Sequence, residues 1–244
     1  MTDKPRYDGI PLDIALDNIA TAFDLDTDTL IDYAGEDDVG GYHASYDDGF
    51  PIGSMWRVEG QILYALTRIS KPLDVLELGT SRGCSATHIL TALTRNEGGF
   101  LDCVDNGSQT AVIGDLIPAH FVGKYTIHQT DMEAFIAAAP DASYDLILED
   151  GMHTPEQVEM VWRAAYRLLR PGGIILSHDA EHFIVGEAVR EGIARAGYFG
   201  AIPPARTVLI APSDCGFAYW KKPFEADGEL VDAPKPKRKR KPAK

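Results

Sequence analysis

The chain has 244 residues, a formal net charge of −14, 45% hydrophobic side chains and three cysteines. That length supports one large domain with a sizeable core, and no run approaches the roughly 18 uninterrupted apolar residues of a membrane helix. Cys84, Cys103 and Cys215 are too few and too scattered for a disulfide framework or a clustered zinc site, which suits a reducing cytoplasm.

The N-terminus has no apolar signal core, so no secretory leader is expected. The charge is split. The last ten residues carry seven basic side chains and no acidic one, leaving −21 for the remainder. An acidic body repels phosphate backbones, so nucleic-acid contact is expected only through the tail, Pro234 to Lys244. The tail has nothing apolar to pack except Ala243 and is expected to be disordered. Three regions follow: 1–53 with N-terminal helices and a lid-like loop, 54–222 as the principal domain, and 223–244 as the basic tail.

Apolar residues at helical spacing between Pro11 and Tyr33 predict two short helices, separated by an acidic break, with Asp28 as N-cap of the second. Gly35 to Gly53, rich in Gly, Asp and aromatics (Tyr42, His43, Tyr46, Phe50), has no periodicity. It reads either as a lid or as a surface connection over the N-terminal helices. A helix then runs from a Ser54 cap to Lys71, with Val58, Ile62, Leu63, Ala65, Leu66 and Ile69 as its buried face.

Next comes Asp74-Val-Leu-Glu-Leu-Gly-Thr-Ser-Arg-Gly-Cys-Ser-Ala-Thr87, an apolar strand that breaks into a glycine turn and a helix. Glu77 contradicts simple burial unless a cationic group meets it. Gly79 and Gly83 permit a tight turn, while Ser81 and Ser85 put hydroxyls and amides where a helix N-terminus takes a carboxylate. The expected ligand is positive at one end and negative at the other. A dinucleotide fingerprint fits less well, because Ser81 stands where the second glycine of G-x-G-x-x-G would be.

Beyond it, strand and helix alternate: helix Cys84 to Thr94, strand Gly99 to Asp105, helix Gln109 to Ala119, strand Tyr125 to Gln129, helix Met132 to Ala138. Strand Tyr144 to Glu149, helix Pro155 to Leu169, strand Gly173 to Ser177 and helix Glu181 to Ala196 follow. Strands Thr207 to Ala211 and Gly216 to Lys221 are close enough to pair as an antiparallel hairpin. The expected fold is α/β: a doubly wound, mostly parallel seven-stranded sheet closed by that hairpin.

Asp105 ends the second strand about 26 residues beyond Gly79, close to the offset of a ribose-binding carboxylate. The alternative is a helix N-cap, although Asn106-Gly107-Ser108 supplies better caps. Asp131 is placed equally well to meet an adenine amino group or to cap the next helix. Asp150 and His153 follow the fourth strand, and His178 and Asp179 follow the fifth. Groups at the carboxyl ends of adjacent parallel strands converge, although each could also serve as a cap or strand-end partner. His43, His88, His120, His128 and His182 have no matching partners and read as structural.

Glu77-x-Gly79-x-x-x-Gly83 on its strand resembles the first motif of the class I S-adenosylmethionine-dependent methyltransferases. Glu59-Gly60-Gln61-Ile-Leu63 ahead of it is similar to the catechol and caffeoyl-CoA O-methyltransferase branch. Asp150-Gly-Met-His153 is similar to the macrocin-type sugar O-methyltransferases. The resemblance covers about Ser54 to Trp220. It implies S-adenosylmethionine with Glu77 at its ammonium, Ser85 at its carboxylate, Asp105 at its ribose and Asp131 at its adenine. It also implies a small-molecule hydroxyl acceptor, a divalent metal on Asp150, His178 and Asp179, and His153 as the general base. Imidazole at 178 in place of a hard oxygen ligand admits manganese, iron or zinc as well as magnesium.

Three rivals remain open: a metal-dependent oxygenase or hydroxylase on the same fold, a nucleic-acid methyltransferase working through the tail, and a non-catalytic cofactor-binding protein. Neither an Asp-Pro-Pro-aromatic motif after the fourth strand nor a Pro-Cys nucleophile is present, which disfavours base methylation. Homo-oligomerisation is left open.

Overall fold

The structure is a computed structural model that describes residues 9–39, 55–110, 112–197, 206–208 and 215–224. Most of the lid-like loop, with Ser54, and the basic tail lie outside the described residues.

In chain order the elements are α1 (Leu12–Phe23), α2 (Thr27–Glu36), α3 (Arg57–Ser70), β1 (Asp74–Leu78), α4 (Cys84–Arg95), β2 (Phe100–Asp105) and β3 (Tyr125–Gln129). Then come α5 (Met132–Ala138), β4 (Tyr144–Glu149), α6 (Pro155–Leu168), β5 (Leu169–His178), α7 (Gly186–Arg195), β6 (Arg206–Val208) and β7 (Phe217–Lys221). The seven strands form one sheet in the order β3-β2-β1-β4-β5-β7-β6. The first five are parallel, and β7 is antiparallel to both β5 and β6. The expected fold and closing hairpin are both present.

Period-two alternation along the strands sorts the core into two layers. Val75, Leu146, Leu148, Ile174 and Leu176 face a cluster built with α1 to α4, whereas Leu76, Ile147 and Ile175 face a cluster built with α5 to α7. The same alternation turns His178 toward α3 and Ser177 toward Trp162 of α6, whose indole N–H donates to Ser177 Oγ at 2.7 Å.

Four sequence expectations are corrected. Asp26, not Asp28, caps α2, accepting from Thr29 N at 2.8 Å, because the helix begins at Thr27 and puts Asp28 in its first turn. The helix before β1 begins at Arg57 with Trp56 as N-cap, and Glu59 reaches back to accept from Trp56 N at 3.2 Å. The described residues of the expected helix Gln109 to Ala119 form bends and turns, followed by a short 3-10 segment, Ala119–Phe121. Gly114 adopts φ +70°, and the segment is tied to the glycine turn instead: Gly114 N donates to Ser81 O and Leu116 N to Arg82 O. Finally, α7 starts at Gly186, five residues later than expected, since Asp179 to Val185 forms turns after β5.

Candidate active site

The carboxyl ends of the five parallel strands, β1 to β5, gather every candidate residue. At the end of β1 the chain turns through Gly79 at φ +98°, Ser81 at φ +47° and Gly83 at φ +92°. Both glycines serve close packing: a Cβ on Gly79 would lie 1.9 Å from the Asp150 carbonyl oxygen, and one on Gly83 would lie 2.4 Å from Ile117 Cγ1. The glycine turn and the metal-ligand candidate Asp150 are therefore pressed together, backbone against backbone.

Glu77 is fully buried, and the Ser85 hydroxyl at the start of α4 donates to its Oε1. Its Oε2 is buried without a hydrogen-bond partner. Burial pushes the carboxyl up to about 7, against the pull of Ser85. An orphaned carboxylate oxygen beside a helix N-terminus fits a site awaiting a cationic group. Ser85, expected at the carboxylate of a ligand, uses its hydroxyl on Glu77.

Asp105 spans two loops: Ser81 N donates to Oδ2 at 2.8 Å and Gly107 N to Oδ1 at 2.7 Å. No helix follows it, so the capping alternative falls away. Asp131 stands at the N-cap position of α5 but makes no capping bond; its Oδ1 accepts from Asn106 Nδ2 at 3.0 Å. These bonds join the loops after β1, β2 and β3 into one rim.

Asp150, His153, His178 and Asp179 do converge. His153 Nε2 lies 3.4 Å from Asp150 Oδ1, and its Nδ1 lies 3.5 Å from Asp179 Oδ2. His178 Nδ1 lies 3.4 Å from Asp150 Oδ1 and 3.5 Å from Asp179 Oδ1. At those distances neither His153 Nε2 nor His178 Nδ1 has a hydrogen-bond partner, and both are buried. Nitrogens aimed at a carboxylate pair without bonding to it fit a divalent ion, and the mixed N/O set suits manganese, iron or zinc better than magnesium. Asp150, His153 and Asp179 offer ligand atoms that all lie within 4.8 Å of one another, a set that contains His153, the expected base, and not His178, the expected ligand, which groups with Glu59 and Cys215.

Backbone strain and charge mark the same place. His153 at φ +54° and Asp179 at φ +59° are left-handed without being glycine. Burial would raise the Asp150 carboxyl, but His178 and His153 outweigh it and hold it below the usual carboxylate range. Burial would lower His153, but Asp150, Glu149 and Asp179 raise it. His178 is raised further by Glu59, Asp179 and Asp150.

Two buried acids escaped the sequence reading as site residues. Glu149 is fully buried and raised by burial, with Oε1 accepting from Gly151 N at 3.2 Å. Glu59 stands 2.9 Å from His178 Nε2. Its position on the apolar stripe of α3, one turn before Ile62 and Leu63, was the available signal. Three of the other histidines have structural partners: His88 with Asp37, His128 with Asp102, and His120 against Phe121. His182 stacks on Phe183 and accepts from Ile184 N, whereas His43 lies outside the described residues.

A family model described as a methyltransferase domain matches residues 76–180, from β1 through the turn after β5. No curated protein matches the chain. Among solved structures, cofactor-bound Rv0187 from MTB is 17% identical with a TM-score of 0.59, over 90% of this chain and 100% of that one. An O-methyltransferase from Bacillus cereus in complex with SAH is 16% identical with a TM-score of 0.58, over 86% and 97%. The SAH-bound Podospora anserina methyltransferase PaMTH1 is 14% identical with a TM-score of 0.54, over 86% and 96%. The strand order and the glycine turn agree with these comparisons: residues 76–180 match a methyltransferase domain, set in the fold that the chain shares with those structures.

Proposed function

We propose that the chain moves a methyl group from S-adenosylmethionine to a hydroxyl of a small molecule, with a divalent cation at Asp150, His178 and Asp179 and with His153 as proton acceptor. The observation that carries this reading is the convergence of those four side chains directly against the glycine turn.

Glu77 would meet the cofactor's ammonium through its orphaned Oε2, the α4 N-terminus with Ser81 and the backbone amide of Ser85 its carboxylate, Asp105 its ribose and Asp131 its adenine. Bound S-adenosylmethionine would supply an electrophilic methyl group and leave as a neutral thioether, while His153 would take the proton of the attacking acceptor hydroxyl. Methyl transfer is an in-line displacement, so the protein's main work is orientation and proton removal. A divalent cation supplies Lewis acidity that lowers the pKa of a bound hydroxyl. Burial favours the neutral form of His153 whereas Asp150, Glu149 and Asp179 raise it, so compensating the two aspartate charges would favour the neutral, proton-accepting imidazole.

Methyl release from labelled S-adenosylmethionine, measured with catechols, sugars and oligonucleotides before and after chelation, tests the reading. Chelator-sensitive transfer to a small hydroxyl compound is expected. Transfer to oligonucleotides alone, or oxygen consumption without methyl transfer, would overturn it.

A further inference from the structure

Glu59 belongs to α3, an element that contributes nothing else to the proposed chemistry, and it is fully buried. Among the described residues, donors from three segments meet its carboxylate. Gly216 N, just before β7, donates to Oε1 at 2.8 Å; Trp56 N donates to Oε2 at 3.2 Å; and His178 Nε2 lies 2.9 Å from Oε2. The His178 ring also packs edge-on against Phe217, with centroids 5.4 Å apart. Its other nitrogen, Nδ1, is buried, unpartnered and turned toward Asp150 and Asp179.

From this arrangement we infer that Glu59 is the positioning residue that decides which nitrogen of His178 serves the site. A carboxylate is an acceptor only, so it holds the proton on Nε2 and leaves the Nδ1 lone pair for a cation between Asp150 and Asp179. An acidic partner on the far nitrogen also orients the ring and raises its basicity as a ligand. The inference rests on the divalent-cation reading given above. Gln cannot replace Glu59: three donors would face one carbonyl oxygen and an NH2 group. Either a backbone amide loses its acceptor, or the His178 proton moves to Nδ1, where it blocks the ligand.

The alternative use of the same residues is a separate soft-metal site. Glu59, His178 and Cys215 offer ligand atoms within 4.8 Å of one another, and such a site would take Nε2 itself. The existing bond from Nε2 to Glu59 and the orphaned Nδ1 favour the positioning role.

Nitrogen NMR of the full chain labelled at histidine, with Zn2+ as a diamagnetic probe, tests this. The expected result is a retained Nε2–H on His178 with zinc on Nδ1. Glu59→Gln should weaken Zn2+ binding roughly tenfold to a hundredfold, and that loss should vanish in a His178→Ala background. Zinc on Nε2, or unchanged affinity in Glu59→Gln, would overturn the inference. Failure of the wild-type chain to bind Zn2+ or Mn2+ would end the cation reading alone. The tautomer of neutral His178 in the metal-free wild-type protein then decides the role of Glu59, Nε2–H supporting it and Nδ1–H refuting it.

Discussion

Ser85 donates its hydroxyl to Oε1 of Glu77, and by doing so leaves Oε2 as a buried acceptor with no donor. In the proposed reading, the pair makes an apolar strand end the receptor for the cofactor's ammonium. Because burial raises the Glu77 carboxyl from 4.5 to about 7, the unliganded folded chain binds more protons than the unfolded chain across that window, and stability falls as pH rises through it. A ligand ammonium has the opposite preference and favours ionised Glu77. Affinity for S-adenosylmethionine should therefore rise as pH passes through about 7, and Glu77→Gln should flatten that rise and cost about 1.5–3 kcal/mol at alkaline pH. Calorimetry on both sides of the transition checks this, and a flat wild-type profile would count against the ammonium role.

Asp105 holds two backbone amides, so its removal acts on two levels. Asp105→Ala should weaken cofactor binding by about 1–3 kcal/mol and lower unfolding stability by a similar amount, as Ser81 N and Gly107 N lose their acceptor. Asp105→Asn can keep only one of those bonds through its single carbonyl oxygen and should fall between. Denaturant melts run beside the calorimetry separate the two losses. Unchanged affinity together with reduced stability would leave Asp105 a loop clamp and nothing more.

His153 is positioned both as a base and as a ligand, and metal affinity distinguishes the roles. If it is the base, His153→Ala should lower turnover by roughly a hundredfold to ten-thousandfold while Mn2+ affinity is retained. A parallel fall in Mn2+ affinity would move it into the ligand set with Asp150 and Asp179.

The His88–Asp37 pair makes stability pH-dependent in a defined direction. Burial alone would lower His88, but the Asp37 hydrogen bond at 2.8 Å, Cys84 and the Asp37 charge together raise it from 6.5 to about 9. A raised histidine contributes stability that is complete below pH 6.5 and is lost as pH climbs through about 9; the size is about 3 kcal/mol. Asp37→Asn should remove most of that dependence, measured as denaturation midpoints across the window. Gly60→Ala should destabilise as well, since its Cβ would lie 2.3 Å from the His88 ring held by Asp37.

The sheet, its winding and the gathering of the candidate residues at the carboxyl ends of its parallel strands were legible from local pattern. A strand buried on both faces must be apolar throughout, as β1 and β4 are apart from their acids, and a glycine turn leading into a helix restricts what can follow β1. Acids and histidines at the ends of β4 and β5 could be read as converging, because parallel strands present their carboxyl ends on one side. Contacts made across the fold were not legible. The apolar spacing of Gln109 to Ala119 resembles a helix, yet its amides satisfy carbonyls of the glycine turn, a choice no local propensity encodes. Glu59 entered the sequence reading only as part of the Glu59-Gly60-Gln61 segment, with no role of its own; the passage of α3 over the ends of β5 and β7 brings it to His178 Nε2 and Gly216 N. His88 likewise lacked a partner in sequence until α2 and α4 brought Asp37 beside it. Periodicity records which face a residue turns to the core, whereas the partner of a buried charge is set by packing between distant elements, since desolvation makes that partner obligatory without specifying where in the chain it lies.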